Sequence, residues 1–404
     1  MMMVNAKDNK PVPFVEFVAL MAILTSLAAM SIDGILPALP EIGKSLGVQR
    51  ENDNQLILTL FFLGMAFGQM IYGPLSDSIG RKPANYIGLG LYMSGALMAL
   101  AATNFPVMLI GRVMQGIGAA GPRIITVAII RDQYQGRAMA RVMSFVTTVF
   151  IMVPIVAPLV GQTILLVAHW RAIFGLYLGL AIIASIWFTL RQPETLAPDR
   201  RLPFSVARPA AAIREIFANR LAFGYTITMG LVFGGFIGYL SSAQQIFQEI
   251  YGLGKLFPLY FGALAISIGG ASFLNGSLVM RYGMRLLSRV ALRTFSGFSL
   301  IFLIISVIMA GQPPLWSLMT YFFLSFFCVG MLFGNLSALA METLGHIAGI
   351  GAAVIGSLST LISLFLGTLI GQSYNGTIIP IVSGFAILSI TALMVIPWAE
   401  SGRK

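Results

Sequence analysis

The chain has 404 residues, 57% of them apolar and 10% charged, with a mean hydropathy of +0.88. A soluble domain carries about a quarter charged residues, so these values exclude one and point to a polytopic integral membrane protein. The net charge of +11 raises a nucleic-acid reading, which its placement along the chain dismisses below, and the lone Cys328 excludes an internal disulfide.

Residues 1–13 are polar. The apolar run that follows to Leu36 is too long for a signal-peptide core and lacks a small-residue cleavage site, so it reads as a retained first span. Further runs recur, each long enough to cross ~30 Å of hydrocarbon at ~1.5 Å per helical residue. Twelve spans are predicted, at roughly 14–36, 55–75, 84–103, 105–130, 139–166, 171–190, 221–247, 256–280, 286–310, 315–340, 348–372 and 376–398. The longest interruption, 191–220, holds four prolines and six arginines. It divides residues 1–190, a six-helix half, from residues 221–404, a second six-helix half. Within it, 210–217 has the pattern of a short helix on the membrane surface, or of a plain tether.

An even number of spans puts both termini on one side. With the N-terminus inside, nineteen of the 25 Lys and Arg fall on cytoplasmic segments, four on the outer side, and Arg112 and Arg123 within a span. That asymmetry is the positive-inside pattern of an inner-membrane protein with cytoplasmic termini. The basic excess is therefore a topology signal and implies no nucleic acid.

Between the second and third spans lies a polar turn, Gly73-Pro74-Leu75-Ser76-Asp77-Ser78-Ile79-Gly80-Arg81-Lys82-Pro83. Residues 276–285 echo it half a chain later, keeping the glycines and a trailing arginine, but with Met280 where the first copy has Asp77. The second copy reads as a relic. Such an internal repeat fits a transporter built from two related halves.

Ionisable groups within spans are costly and are functional candidates by default. Asp33 is the carboxylate well inside a span. It lies ~28 Å from the inner start of the first span, and Arg112 lies ~27 Å from the inner end of the fourth, which runs the other way. The two are thus predicted at similar depth, where an ion pair would lower the cost of both charges; the alternative is that each reaches the interface separately. Gln115 and Arg123 fall close to the face of Arg112, since eleven residues make almost three turns.

The polar turn resembles the signature loop of the major facilitator superfamily, matched by Gly73, Leu75, Asp77, Gly80, Arg81, Lys82 and Pro83, with Ser78 where that family often has a basic residue. The stretch Arg112-Val113-Met114-Gln115-Gly116-Ile117-Gly118-Ala119-Ala120 is similar to the family's second motif, whose arginine is implicated in proton coupling. Asp33-Gly34-Ile35-Leu36-Pro37-Ala38-Leu39-Pro40 resembles the end of the first helix in drug/proton antiporters of the Bcr/CflA-like subgroup. In the fifth span, 153–161 resembles the antiporter motif, with Ala157 and Gln162 in place of two glycines; its Pro154 and Pro158 would bend the helix. The resemblance implies an all-α integral membrane protein, twelve transmembrane helices in two pseudo-symmetric six-helix halves, the major facilitator fold. It also implies a cytoplasmic latch of Gly73, Asp77, Gly80, Arg81 and Asp132, present only in the outward-open state, with Asp77 facing the N-terminus of the eleventh helix.

Tyr225, Phe236, Tyr239, Gln244 and Gln245 in the seventh span and Phe333 and Asn335 in the tenth are candidates for a central cavity shared with Gln115 and Arg123, since aromatic and amide groups suit bulky amphipathic solutes. No metal-ligand spacing or nucleophile–base pair stands out. Gly43-Lys44-Ser45 lacks the upstream glycine of a phosphate loop, which argues against ATP. With the resemblance, these features predict a monomeric secondary transporter with no cofactor, which the resemblance implies is driven by the proton gradient through Asp33 and Arg112. It would export small organic solutes, drugs or an endogenous metabolite such as a siderophore. A receptor or channel would need an effector domain or a polar pore ring, and an enzyme clustered acids or histidines.

Overall fold

The computed structural model describes residues 12–205 and 207–401. Lys7, Lys10, Arg403 and Lys404, four of the bases used to orient the chain, lie outside them. Twelve long helices follow one another: α1 (Phe14–Asp33), α2 (Leu56–Ile79), α3 (Arg81–Leu100), α4 (Phe105–Gln133), α5 (Gly136–Val167), α6 (Arg171–Arg191), α7 (Arg220–Gln244), α8 (Phe257–Tyr282), α9 (Met284–Ile308), α10 (Leu315–Met341), α11 (Ala348–Gln372) and α12 (Ile379–Glu400). Eleven segments among the described residues are long and apolar enough to cross a membrane. The remaining helix is α3, whose 20 residues include Arg81, Lys82 and Asn85. No strand occurs among the described residues, as lipid requires of a chain that must satisfy its backbone within each segment.

Local sequence explains where the helices start and stop. Asn104 accepts from Val107 N (3.0 Å) with Pro106 in the first turn, opening α4. Asn219 accepts from Leu221 N and Ala222 N, both 3.1 Å, opening α7. Gly80 (φ 106°) lets the chain turn from α2 into α3, and Gly283 (φ 78°) does the same from α8 into α9.

Helix pairing repeats with a shift of six. The contacts α1–α5, α1–α6, α2–α4, α3–α4 and α3–α6 recur as α7–α11, α7–α12, α8–α10, α9–α10 and α9–α12. The first six helices meet the last six along two seams, α2 against α11 and α5 against α8. Without a hydrophobic drive between helices in lipid, close approach supplies the adhesion. Any Cβ on Gly116 would run into the Phe61 carbonyl of α2, and one on Gly118 into the backbone of Tyr92 on α3. Those two glycines let α4 lie directly on both neighbours.

The segment between α6 and α7 is anchored to the bundle. Its helix, Ala207–Ala218, buries Ala212 and Ile216 and packs on α11 and α7. Glu215 pairs with His346 at 2.8 Å. The helix expected at 210–217 is present, held against the bundle by these contacts.

Candidate transport pathway and coupling site

One end of the bundle carries the polar turn of α2–α3 and the clustered arginines of 131–141 and 281–293 and is called the basic end; the other is the far end. At the far end the first six helices are joined to the last six by amides. Gln55, at the start of α2, donates to Gln245 Oε1 (2.6 Å) and to the Gly371 carbonyl (3.1 Å). Asn52 donates to the carbonyls of Gln372 (3.1 Å) and Tyr374 (2.9 Å) and accepts from Gln245 Nε2 (2.9 Å). Asn52 and Gln55 were missed by the sequence reading; the run Glu51-Asn52-Asp53-Asn54-Gln55, polar and directly ahead of a span, was the available signal. Gln245, expected in the cavity, belongs instead to this seal. The reason is local: after Gln244 the helix widens into a π turn, Gln245–Ile250, which turns Gln245 toward Asn52 and Gln55. Gln244 bonds within the same turn, to Gln248 at 3.0 Å.

Below the seal sits Asp33, the last residue of α1 and the one buried carboxylate among the described residues. The expected ion pair with Arg112 is not formed. Arg112 is fully enclosed, and its donors go to the Ile57 carbonyl (3.0 Å), the Ser31 carbonyl (2.9 Å) and Gln115 Oε1 (2.6 Å), with the Phe61 ring 4.4 Å from its Cζ. Gln115 in turn donates to Ser31 Oγ at 3.3 Å, which also bonds Tyr92 Oη at 2.6 Å. Arg112 thus ties α1, α2 and α4 together through two backbone carbonyls and Gln115. Two tyrosines stand near Asp33, the Tyr177 hydroxyl beside the adjoining Gly34. Tyr177 of α6 and Tyr239 of α7 lie within its electrostatic reach, and both hydroxyls are buried without a hydrogen-bond partner. Tyr239 packs its ring among Phe261, Phe322 and Phe326. Asp33 therefore stands where the first six helices meet the seventh.

At the basic end, Arg81 binds Asp77 Oδ1 (2.5 Å), Asp132 Oδ2 (2.9 Å) and Ser76 Oγ (2.9 Å). This triad lies wholly within the first six helices and is intact while the far end is sealed, so it does not depend on an open far end. Gly73 contributes its carbonyl to Ser76 Oγ at 3.0 Å. A residue the sequence reading did not select, Glu194, completes the turn: its carboxylate accepts from the backbone N–H groups of Arg81 and Lys82, both at 2.9 Å, at the N-terminus of α3. The echo at 276–285 is no relic. Arg285 pairs with Glu342 at the end of α10, the place that Asp132 holds at the end of α4, and lies 3.3 Å from Glu400 at the end of α12. With Met280 exposed and neutral, the acid is supplied from other helices, which a local comparison of the two turns could not reveal.

Between the two ends the remaining candidates separate. Tyr225 is at the basic end, donating to Glu400 Oε1 at 2.7 Å, and is not in the cavity expected for it; it shares a carboxylate with Arg285 and Arg289. Phe236 leans on Tyr239 and Phe326, Phe333 on Phe233, and Asn335 exchanges hydrogen bonds of 2.8 and 3.1 Å with Asn275. Pro154 and Pro158 lie inside α5, which continues through both; Ala157 and Gly161 face Gly34, bringing α5 onto the end of α1. Arg123 is exposed, although it lies on nearly the same face of α4 as the enclosed Arg112. Its guanidinium stands 5.7 Å from the Phe150 ring of α5. Val127 and Arg131, one and two turns nearer the basic end, are exposed too, as is most of α8 beyond Ala271. These exposed positions run from the basic end as far as Arg123 and mark the candidate vestibule.

An amide-bridged far end, a buried acid beneath it and exposed residues from the basic end to Arg123 are features that a membrane carrier would show. Comparison with known proteins agrees. Residues 21–368 match a family model described as Major Facilitator Superfamily. The chain is 31% identical over 378 residues to a bicyclomycin resistance protein homolog of Haemophilus influenzae, covering 90% of this chain and 91% of the relative. It is 27% identical to the multidrug resistance protein MdtL of Salmonella paratyphi C, with 91% of each covered. Its fold is shared with the xylose transporter XylE of E. coli in a partially occluded inward-open conformation, with a TM-score of 0.73 at 13% identity, covering 94% of this chain and 96% of that one. The chain is a multi-pass membrane transporter, not an enzyme, and it belongs to the major facilitator superfamily.

Proposed function

We propose that this transporter exports small organic solutes from the cytoplasm, drugs among them, in exchange for protons, as a monomer and without ATP. The basic end then faces the cytoplasm with both termini, by the positive-inside pattern, and the membrane is the bacterial inner membrane. The observation that carries the reading is Asp33, buried and in no ion pair among the described residues, near the Tyr177 and Tyr239 hydroxyls, which are buried without a hydrogen-bond partner there. A charged carboxylate in such a place needs water or a counter-ion, whereas a protonated one does not. Protonation therefore suits the closed arrangement around Asp33, and deprotonation suits one open to water. Coupling arises if solute and proton favour different arrangements of the two halves. Names borne by the relatives, bicyclomycin resistance and multidrug resistance, support drugs as the solute class. Asp77 and Arg81 serve as part of a gate, meeting the N-terminus of α11 when the basic end closes.

The test is transport by the purified protein in liposomes. An imposed pH gradient, acidic on the far-end side, is expected to drive bicyclomycin or a multidrug dye toward that side, with proton flux in the opposite direction. Uptake that ignores the pH gradient, or that follows ATP supply alone, overturns the proposal.

A further inference from the structure

Arg123 is a cation without a carboxylate. It lies ten residues from the basic end of α4, ~15 Å along the helix, so the positive-inside rule that accounts for arginines at the interface does not account for it. Among the described residues no carboxylate lies within ion-pair distance, and its side-chain contact is the Phe150 ring. The acids of the basic end are engaged elsewhere: Asp77 and Asp132 with Arg81, Glu16 with Arg191, and Glu400 with Arg289. Arg131, Arg137 and Arg141 stand exposed around the mouth without acidic partners among the described residues. A cation at this depth faces either water or a counter-charge, and no carboxylate among the described residues pairs with it.

The surroundings say what shape the counter-charge takes. Beyond Phe150 toward Asp33 lies a small apolar cluster of Ala29, Met30, Val153 and Ala157. A ligand entering from the basic end thus passes exposed arginines, meets Arg123 at the head of the vestibule, and finds rings and methyl groups above it. We propose that Arg123 is the anion-binding residue of the cavity and that the solute carried is an amphipathic organic anion, its acidic group on Arg123 and its apolar body against Phe150 and Met30. This rests on the vestibule being the transport pathway. It narrows the solute class from organic solutes at large to those bearing a carboxylate, sulfonate or phosphate. The guanidinium fork suits such groups bidentately, and the arginines at the mouth raise the local concentration of anions.

The experiment uses two dyes with the same xanthene core, anionic carboxyfluorescein and cationic rhodamine 123. Binding to the full-length protein in nanodiscs is read by fluorescence anisotropy at one pH on both faces. No gradient is present, so the result is independent of proton coupling: failure here leaves proton-driven export standing, and failure of the gradient experiment leaves anion binding standing. Carboxyfluorescein is expected to bind more tightly than rhodamine 123. Arg123→Ala should weaken it about ten- to a hundredfold, and Arg123→Lys should restore part of that loss. Arg123→Glu should reverse the preference, tightening rhodamine 123, a gain that misfolding cannot produce. The proposal is overturned if carboxyfluorescein fails to bind, whether or not rhodamine 123 does. It is equally overturned if Arg123→Ala leaves its binding unchanged, or if Arg123→Glu keeps the anion preference.

Discussion

Gln55 and Gln245 close the far end across the chain's midpoint, Nε2 of the first donating to Oε1 of the second at 2.6 Å. Neither amide is exposed. Because the bond spans the two sets of six helices, it exists only while they are together at that end, and it biases the conformational equilibrium without touching the solute. Gln55→Ala removes the bonds to Gln245 and to Gly371, each worth about 0.5–1.5 kcal/mol. The far-end-open population should therefore rise between several-fold and about a hundredfold. Spin labels placed across the far end read this directly; an unchanged distance distribution would contradict the assignment of these amides as a seal.

Asp33→Asn should leave the fold intact and abolish gradient-driven export. The amide mimics the protonated carboxyl in size but cannot release a proton. Liposome transport against a pH gradient measures the loss, and facilitated exchange at equal pH serves as the control that survives. Full gradient-driven transport by this variant would remove Asp33 from the coupling site.

Arg112 is expected to act through the architecture. Arg112→Ala strands the Ser31 and Ile57 carbonyls and loses two charge-assisted bonds of ~1.5–3 kcal/mol each. A clear drop in Tm follows, with impaired transport. Arg112→Lys keeps the charge but not the fork, so it should recover only part of the stability. If instead Arg112→Ala melts like the parent while losing only proton dependence, the residue couples to protons without holding the helices.

Glu194 caps α3 from the segment that follows α6, 112 residues downstream of Lys82. Glu194→Gln keeps the acceptor but removes the charge at the helix N-terminus, costing about 0.3–1 kcal/mol; Glu194→Ala removes the cap and costs about 1–2 kcal/mol. Limited proteolysis within 192–205 should speed up in the same order. The Gly80→Ala variant tests the same spot from the other side. Its φ of 106° disfavours any Cβ, and that atom would sit 2.6 Å from Glu194 Oε2, so destabilisation should exceed that of Gly90→Ala, where a Cβ meets open space.

The number and order of the helices were legible in the chain because hydropathy and turn chemistry are local. Runs of about twenty apolar residues, Asn104 and Asn219 as caps, and glycines at 80 and 283 act within one or two turns of themselves. The burial of Asp33 was legible for the same reason: a carboxylate inside an apolar run is visible wherever the run lies. Partner choice was not local. Whether Arg112 meets Asp33 or two backbone carbonyls and the Gln115 amide oxygen depends on how α1 and α2 sit against α4, and depth along a helix says nothing about azimuth around it. Gln245 joined the seal and Tyr225 joined Glu400 because a π turn and a distant helix end put those partners there. Asn52, Gln55 and Glu194 looked like ordinary polar residues at span ends; only packing, by bringing a second segment within 3 Å of each, turned them into a seal and a cap. Arg123 is the converse: the sequence placed a cation in the membrane, and the tertiary structure left it without an acidic partner among the described residues.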